Sequence, residues 1–99
     1  MITKFYSDVL DRVNKALIYR GYETEHERAM ELAEMMKTTK RTALCWVRGQ
    51  HFPRSWVKFI SLIQEKNGIS FNWLAKGEGL MTLEEVQVQQ FKEGGITFH

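Results

Sequence analysis

The sequence predicts a mainly α-helical domain of five short helices, followed by a C-terminal tail with some strand character. Three observations predict this fold class. Apolar residues recur three and four positions apart over most of the first 77 residues, which is the spacing of one helix face. Ser and Thr stand where helices would begin, and Gly stands where they would end. The alternating pattern of a β-strand is almost absent from this part of the chain.

The first two predicted helices each combine an apolar face with signals for a start. The first helix has the apolar residues Phe5, Val9, Leu10, Val13, Ala16 and Leu17. Thr3 and Ser7 are both suitable caps for it, and Gly21 marks its end. The second helix begins at Thr24 to Glu27, a capping box in which each side chain accepts from the other residue's backbone N–H. Its apolar face consists of Ala29, Leu32, Ala33 and Met36.

The next three helices are predicted from similar signals. Thr39 is a suitable N-cap for a third helix that runs to about Gly49. Pro53, tolerated in a first turn, is predicted to open a fourth helix that ends at Gly68. Ser70 is predicted to cap a short fifth helix. The apolar residues of these last two helices are Trp56, Phe59, Ile60, Ile63, Trp73 and Leu74.

The sequence divides into a helical domain over residues 1–81 and a tail over residues 82–99. In the tail, Thr82 to Glu85 has residues that could begin a helical turn. Val86 to Gln89, however, alternates apolar and polar residues, and Gly94-Gly95 precedes another short apolar run. This pattern predicts a short β-hairpin, with strands over Val86 to Phe91 and Ile96 to Phe98, or an extended tail.

A lone hairpin is marginal in water, so it must pack on the helical body or pair with another chain. Because each helix of the body already has its own apolar face, we expect the tail to pair with a second copy of the chain; the alternative dimer contact is the helices around Trp73. The candidate dimerisation residues are Val86, Val88, Phe91, Ile96 and Phe98.

Composition narrows the class of protein. At 99 residues, 43% hydrophobic and 26% charged, the chain should fold as one domain with a tail. Its single cysteine rules out an internal disulfide and fits a reducing cytoplasm. Long apolar runs and a signal peptide are absent from the sequence. With no nucleophile–base set, phosphate loop or His/Cys cluster, we expect no enzymatic activity, cofactor, metal or small-molecule ligand.

Charge is distributed unevenly along the chain. No Asp or Glu occurs from Met35 to Gln64, whereas acidic residues collect just before this window. The basic residues inside it are Lys37, Lys40, Arg41, Arg48, His51, Arg54 and Lys58. A one-sided basic patch is the electrostatic footprint expected of a nucleic-acid-binding protein. Double-stranded DNA is therefore the expected partner.

The second and third helices are joined by only two or three residues, which is typical of a helix-turn-helix. In such a motif the second helix enters the major groove, while Trp46 on its other side would anchor it in the core. The candidate base-reading residues are Lys40, Arg41, Leu44 and Cys45. The candidate contacts to the DNA backbone are Thr39, Arg48, His51, Arg54, Ser55 and Lys58.

Three segments carry a resemblance to a known family. AMELAEMMKTTKRTALCWVRG (29–49), GQHFPRSW (49–56) and GISFNWLAKGEGLM (68–81) resemble bacteriophage CI-like repressors, and the last is the most specific. The likeness covers residues 7–81 and implies a five-helix, lambda-repressor-like domain. It also implies a phage or prophage repressor that binds a two-fold operator as a homodimer in the bacterial cytoplasm.

The chain departs from the family pattern at positions that affect the proposed reading face. Lys37 stands where the family usually has Gly in the turn, and Thr38 replaces an apolar residue. Leu44 and Cys45 replace small polar residues, which makes the preferred DNA sequence unpredictable. A rival interpretation keeps the helical fold but makes it a protein-interaction module, such as an antitoxin-like or antirepressor partner. The basic, acid-free segment from Met35 to Gln64 favours DNA binding over this rival interpretation.

Overall fold

The computed structural model describes the backbone of residues 3–93 and the side chains of residues 3–89. The mainly α-helical prediction is confirmed, and this part of the chain has a sixth helix beyond the five predicted. The six helices are α1 (Lys4–Tyr19), α2 (Glu25–Met36), α3 (Lys40–Val47), α4 (Trp56–Asn67), α5 (Phe71–Lys76) and α6 (Leu83–Glu93).

The predicted caps of the first, second, third and fifth helices are confirmed. Thr3, rather than Ser7, caps α1 by accepting a hydrogen bond from the N–H of Tyr6. Both bonds of the capping box predicted for α2 are present. Thr39 and Ser70 cap α3 and α5 in the same way. Local side-chain chemistry therefore fixes where these four helices begin.

The predicted start of α4 at Pro53 is wrong. Ser55 has φ −89° and ψ 58°, outside the helical region, so helical hydrogen bonding begins with the bond from Phe59 N to Ser55 O at 2.9 Å. Pro53 is buried in the loop before the helix. The loop between α3 and α4 is therefore longer than predicted and leaves Arg54 and Ser55 exposed at the start of α4.

The core draws on α1 to α5, and α1 contributes the most buried apolar residues among them. Phe59, Ile60 and Ile63 of α4 are fully buried, as the sequence predicts. Trp46 of α3 is 7% exposed and meets the Phe59 ring edge to face, with the ring centroids 5.3 Å apart. Trp46 is therefore the anchor of α3 in the core. Trp56 is only half-buried.

The turn between α2 and α3 contains Lys37 in a left-handed backbone conformation, which is unusual for a residue other than glycine. Lys37 has φ 53° and ψ 50°, the only positive φ among the described non-glycine residues. The N–H of Thr38 donates to Ala33 O at 2.9 Å and closes the end of α2. Lys37 therefore adopts this left-handed turn at the cost of backbone strain.

We expect Lys37→Gly to raise the free energy of unfolding by about 0.5–1 kcal/mol, because glycine adopts this conformation without a Cβ clash. Urea titration measures the change. Gly49→Ala is the matched control and should lower the free energy of unfolding. Gly49 has φ 72°, and an added Cβ would meet no atom within 4 Å, so this substitution changes only the backbone strain. A loss of stability in Lys37→Gly would contradict this assignment.

The predicted strand over Val86 to Phe91 is wrong, because these residues belong to α6. Thr82 and Glu85 form a capping box: the N–H of Glu85 donates to Thr82 Oγ1 at 3.1 Å, and the N–H of Thr82 donates to Glu85 Oε1 at 3.3 Å. This start signal outweighs the alternation of Val86 to Gln89. The second predicted strand, residues 96–98, lies outside the described residues.

The first turn of α6 is attached to the body of the domain. Thr82 is buried and forms a β-bridge with Ile69, and the N–H of Leu83 donates to Gly68 O at 2.9 Å. Arg20, the C-cap residue of α1, donates to Glu84 Oε1 at 2.7 Å, and this bond lowers the pKa of that carboxyl from its ordinary value. These bonds hold the start of α6 against the body.

Candidate nucleic-acid interface

The α3 helix has one side in the core and the other toward solvent, as its sequence predicts. Ala43, Trp46 and Val47 are buried, whereas Arg41 and Arg48 are exposed. The helix has only eight residues, with Thr39 as its N-cap and Arg48 as its C-cap. A short helix anchored on one side can present a defined set of side chains to a partner.

All four predicted base-reading residues lie around one open depression of about 470 Å³. Its lining consists of Lys40, Arg41, Leu44, Cys45, Arg48 and Gln50. The structure therefore brings together cationic donors, an aliphatic side chain and an amide on one face. This combination suits the mixed edges of base pairs, which offer hydrogen-bond acceptors, donors and the thymine methyl group.

Gln50 is a candidate contact that the sequence analysis missed. Its backbone N–H donates to Cys45 O at 2.8 Å, and this bond holds the loop after α3 next to the depression. The side chain is exposed at the edge of the depression. A glutamine can make paired hydrogen bonds to adenine. The sequence signal for this contact was the position of Gln50 just after Gly49, because a turn that ends a helix keeps the following residue close to that helix.

Two cations of this face are held by the first turn of α2. Lys40 Nζ lies 2.6 Å from His26 Nε2, and Arg48 Nε lies 3.2 Å from Glu25 Oε1. Arg48 and Glu25 are each about half exposed, so their ion pair is worth at most about 1 kcal/mol. Both cations can therefore exchange these partners for phosphate or base atoms at small cost.

The four other Lys and Arg side chains of the window are free for a partner. Lys37, Arg41, Arg54 and Lys58 are exposed, and none of them has a carboxylate within 4.0 Å in the described part of the chain. These side chains lack a carboxylate partner from nearby in the sequence because no Asp or Glu occurs from Met35 to Gln64. Their charge is therefore available to an anionic ligand.

The start of α4 adds backbone donors to these cations. Ser55 makes no capping hydrogen bond, so the first-turn N–H groups of α4 are not satisfied by a side chain. Arg54 and Lys58 flank this terminus, and the helix dipole favours negative charge there. The terminus matches a phosphate group in charge and in donor chemistry.

The remaining predicted contacts vary in availability. His51 is exposed in the loop before α4, and Ser55 is exposed at its first turn. Thr39 is exposed, but its hydroxyl already bonds with Thr42 as the cap of α3. Of the predicted dimerisation residues on α6, Val86 is half-buried and Val88 is 53% exposed. The side chain of Phe91 and the residues Ile96 and Phe98 lie outside the described part.

Among the side chains that the structure describes, residues 3–89, no group of three or more His, Cys, Asp or Glu is placed to hold a metal ion. Within residues 3–93, no helix has the length and apolar character needed to cross a bilayer. Comparison with family models, curated proteins and solved structures finds no match.

Proposed function

We propose that the protein is a sequence-specific DNA-binding transcriptional regulator, a phage or prophage repressor that binds a two-fold operator as a homodimer. It would act in the bacterial cytoplasm by occupancy, without covalent chemistry, a cofactor or a small-molecule ligand. The main support is one observation: the residues that can read bases surround a single depression on α3, and none of them is acidic.

The dimensions of α3 suit this role. An α-helix with its side chains is about 10–12 Å in diameter, close to the ~12 Å width of the major groove. With Trp46 in the core, the opposite side of α3 would face the base edges. Arg41 would donate two parallel bonds to guanine, and Leu44 would contact a thymine methyl group. Lys40, Cys45 and Gln50 would complete the reading face.

Phosphate contacts would hold α3 in the groove. Arg54, Ser55, Lys58 and the free N–H groups at the start of α4 form the proposed backbone clamp. Arg48 would reach a phosphate by leaving Glu25, and His51 and Thr39 would contribute at the edge. Because phosphate groups are the same in every sequence, this clamp would provide affinity and orientation, while α3 would provide selectivity.

The proposal is tested by titrating random-sequence duplex DNA with the protein and following fluorescence anisotropy. The triple variant Arg41→Ala, Arg54→Ala, Lys58→Ala should bind more weakly. It should also reduce the slope of log K against log salt by about one for each lost phosphate contact. The expected cause is loss of counterion release at the basic face.

A matched control separates this face from general positive charge. Lys4→Ala, Lys15→Ala, Lys76→Ala removes the same charge from exposed positions outside the acid-free window. Its affinity should stay near that of the wild type. Equal losses in the two triple variants would contradict the proposed interface. No DNA binding by the wild type would instead favour the protein-interaction alternative.

Dimerisation is proposed to use the C-terminal segment, with α6 in place of the predicted first strand. Val88 is exposed on this helix, and an isolated helix of 11 residues is marginal in water without packing. Deletion of residues 83–99 should therefore shift the protein from dimer to monomer in analytical ultracentrifugation. A truncated chain that remains as dimeric as the full one would show that another surface makes the contact.

A further inference from the structure

A buried polar network joins α1, α2 and the end of α3. Arg28 is 8% exposed, and its guanidinium donates to Asn14 Oδ1 at 2.7 Å and to Glu23 O at 2.6 Å. It also donates to Tyr22 O at 3.2 Å. Arg28 therefore fixes both the loop between α1 and α2 and the side chain of Asn14.

Asn14 passes this connection on to α3. With its carbonyl oxygen taken by Arg28, its amide group points the other way and donates to Leu10 O at 3.1 Å and Val47 O at 3.0 Å. Val47 is the last residue of α3, and Arg48 and Gln50, which follow it, both line the depression that contains the candidate base-reading residues. The Asn14 side chain thus links α1 to the C-terminal end of α3.

The bond to Val47 fills a specific gap in the hydrogen bonding of α3. The last carbonyls of a helix have no partner within the helix. Backbone N–H groups of Arg48, Gly49 and Gln50 satisfy the carbonyls of Leu44, Trp46 and Cys45, respectively. Among the described residues, the carbonyl of Val47 accepts from Asn14 alone. Asn14 therefore caps α3 from a different helix.

We propose that Asn14, oriented by Arg28, is a positioning residue that fixes the C-terminal end of α3 and thereby sets DNA sequence selectivity. This inference rests on the proposed function. If the end of α3 shifted, Gln50 would lose its placement relative to Arg41 and the single phosphate contact of Arg48 would change, whereas the clamp at the start of α4 would remain. The effect should therefore be larger in selectivity than in affinity for random DNA.

Asn14→Asp separates the two halves of the network. Aspartate still accepts from Arg28, but it cannot donate to Val47 O and instead faces that carbonyl with a carboxylate oxygen. Asn14→Ala removes both links. Should Asn14→Ala fail to fold, Asn14→Asp still tests the proposal because its bond to Arg28 is kept. Ile69→Val is the control for a general loss of stability, since Ile69 is buried at the junction of α4 and α5.

The first readout needs no DNA. Amide hydrogen exchange at residues 48–50 should become about two- to tenfold faster in Asn14→Asp, the range expected for loss of one hydrogen bond. Ile69→Val should not accelerate exchange at these three amides beyond its effect elsewhere in the chain. Unchanged exchange at residues 48–50 in Asn14→Asp would overturn the link to α3, whatever the protein binds.

The second readout is the ratio of affinity for a selected site to affinity for a random duplex. Asn14→Asp should lower this ratio about two- to tenfold while leaving binding to random DNA within about twofold. An unchanged ratio, or equal losses on both duplexes, would overturn the role in selectivity. A wild-type chain with no preferred site would refute the proposed function and, with it, that role; the exchange measurement would still decide the link between Asn14 and α3.

Discussion

The affinity of the protein for its DNA site is expected to fall by about 10³–10⁵ when salt is raised from 50 to 200 mM, if a dimer contacts roughly 6–10 phosphates. Arg54 and Lys58 lie beside the uncapped start of α4, where the N–H groups add to the attraction. Each phosphate that they neutralise releases condensed counterions, and added salt removes this entropic gain.

Anisotropy titrations across this salt range measure the effect as the slope of log K against log salt. Thermal unfolding over the same range is the necessary control, because it separates weakened binding from salt-induced loss of structure. Specific binding with a slope near zero would mean that the basic window does not contact phosphates.

Arg41→Ala and Arg54→Ala should change DNA binding in different ways. Arg41 lines the depression on α3 and has no carboxylate partner among the described residues, so it is free to contact a guanine. Its loss should relax preference at one position of each half-site by about 1–3 kcal/mol. Arg54 precedes α4, so its loss should weaken binding to all sequences alike.

Arg41→Lys sharpens the comparison. Lysine keeps the positive charge but lacks the planar, two-pronged donor group of arginine. Selectivity should therefore fall in this variant while affinity for random duplex DNA stays close to that of the wild type. The assigned roles would be refuted if neither Arg41→Ala nor Arg54→Ala changed the specificity profile. They would also be refuted if Arg54→Ala relaxed the preference at one position while Arg41→Ala weakened binding to all sequences alike.

The parts of the fold that could be predicted depend on short-range chemistry. The boxes and caps at Thr24, Thr39 and Ser70 act over three residues, so they can be identified in the sequence and appear in the structure. Burial of Trp46 and Phe59 follows from apolar spacing in the same way. The shared position of the four base-reading candidates also follows from helical periodicity.

The error in the tail arose from two competing local patterns. Val86 to Gln89 alternates as a strand would, but Thr82 and Glu85 form a capping box that starts a helix. The box satisfies backbone donors directly, whereas a strand needs a neighbouring strand to satisfy its own. With Thr82 buried against Ile69, the helix also starts from a fixed position.

The contacts that sequence analysis could not find join distant parts of the chain. Asn14 and Val47 are 33 residues apart, and Glu25 and Arg48 are 23 residues apart. No periodicity relates residues at such separations, because their proximity depends on how whole helices pack. The same reason explains why the contacts of Glu25 and His26 with Arg48 and Lys40, two cations of the candidate interface, became visible only in the structure.

Selection of bound fragments from a pool of random-sequence duplexes tests the central claim most directly. We predict enrichment of one motif with two-fold symmetry, its half-site centres about 34–36 Å apart, or one turn of DNA. Arg41→Ala selected in parallel should lose preference at one position of each half-site. A bound pool that is indistinguishable from the input would contradict sequence-specific DNA binding by this protein.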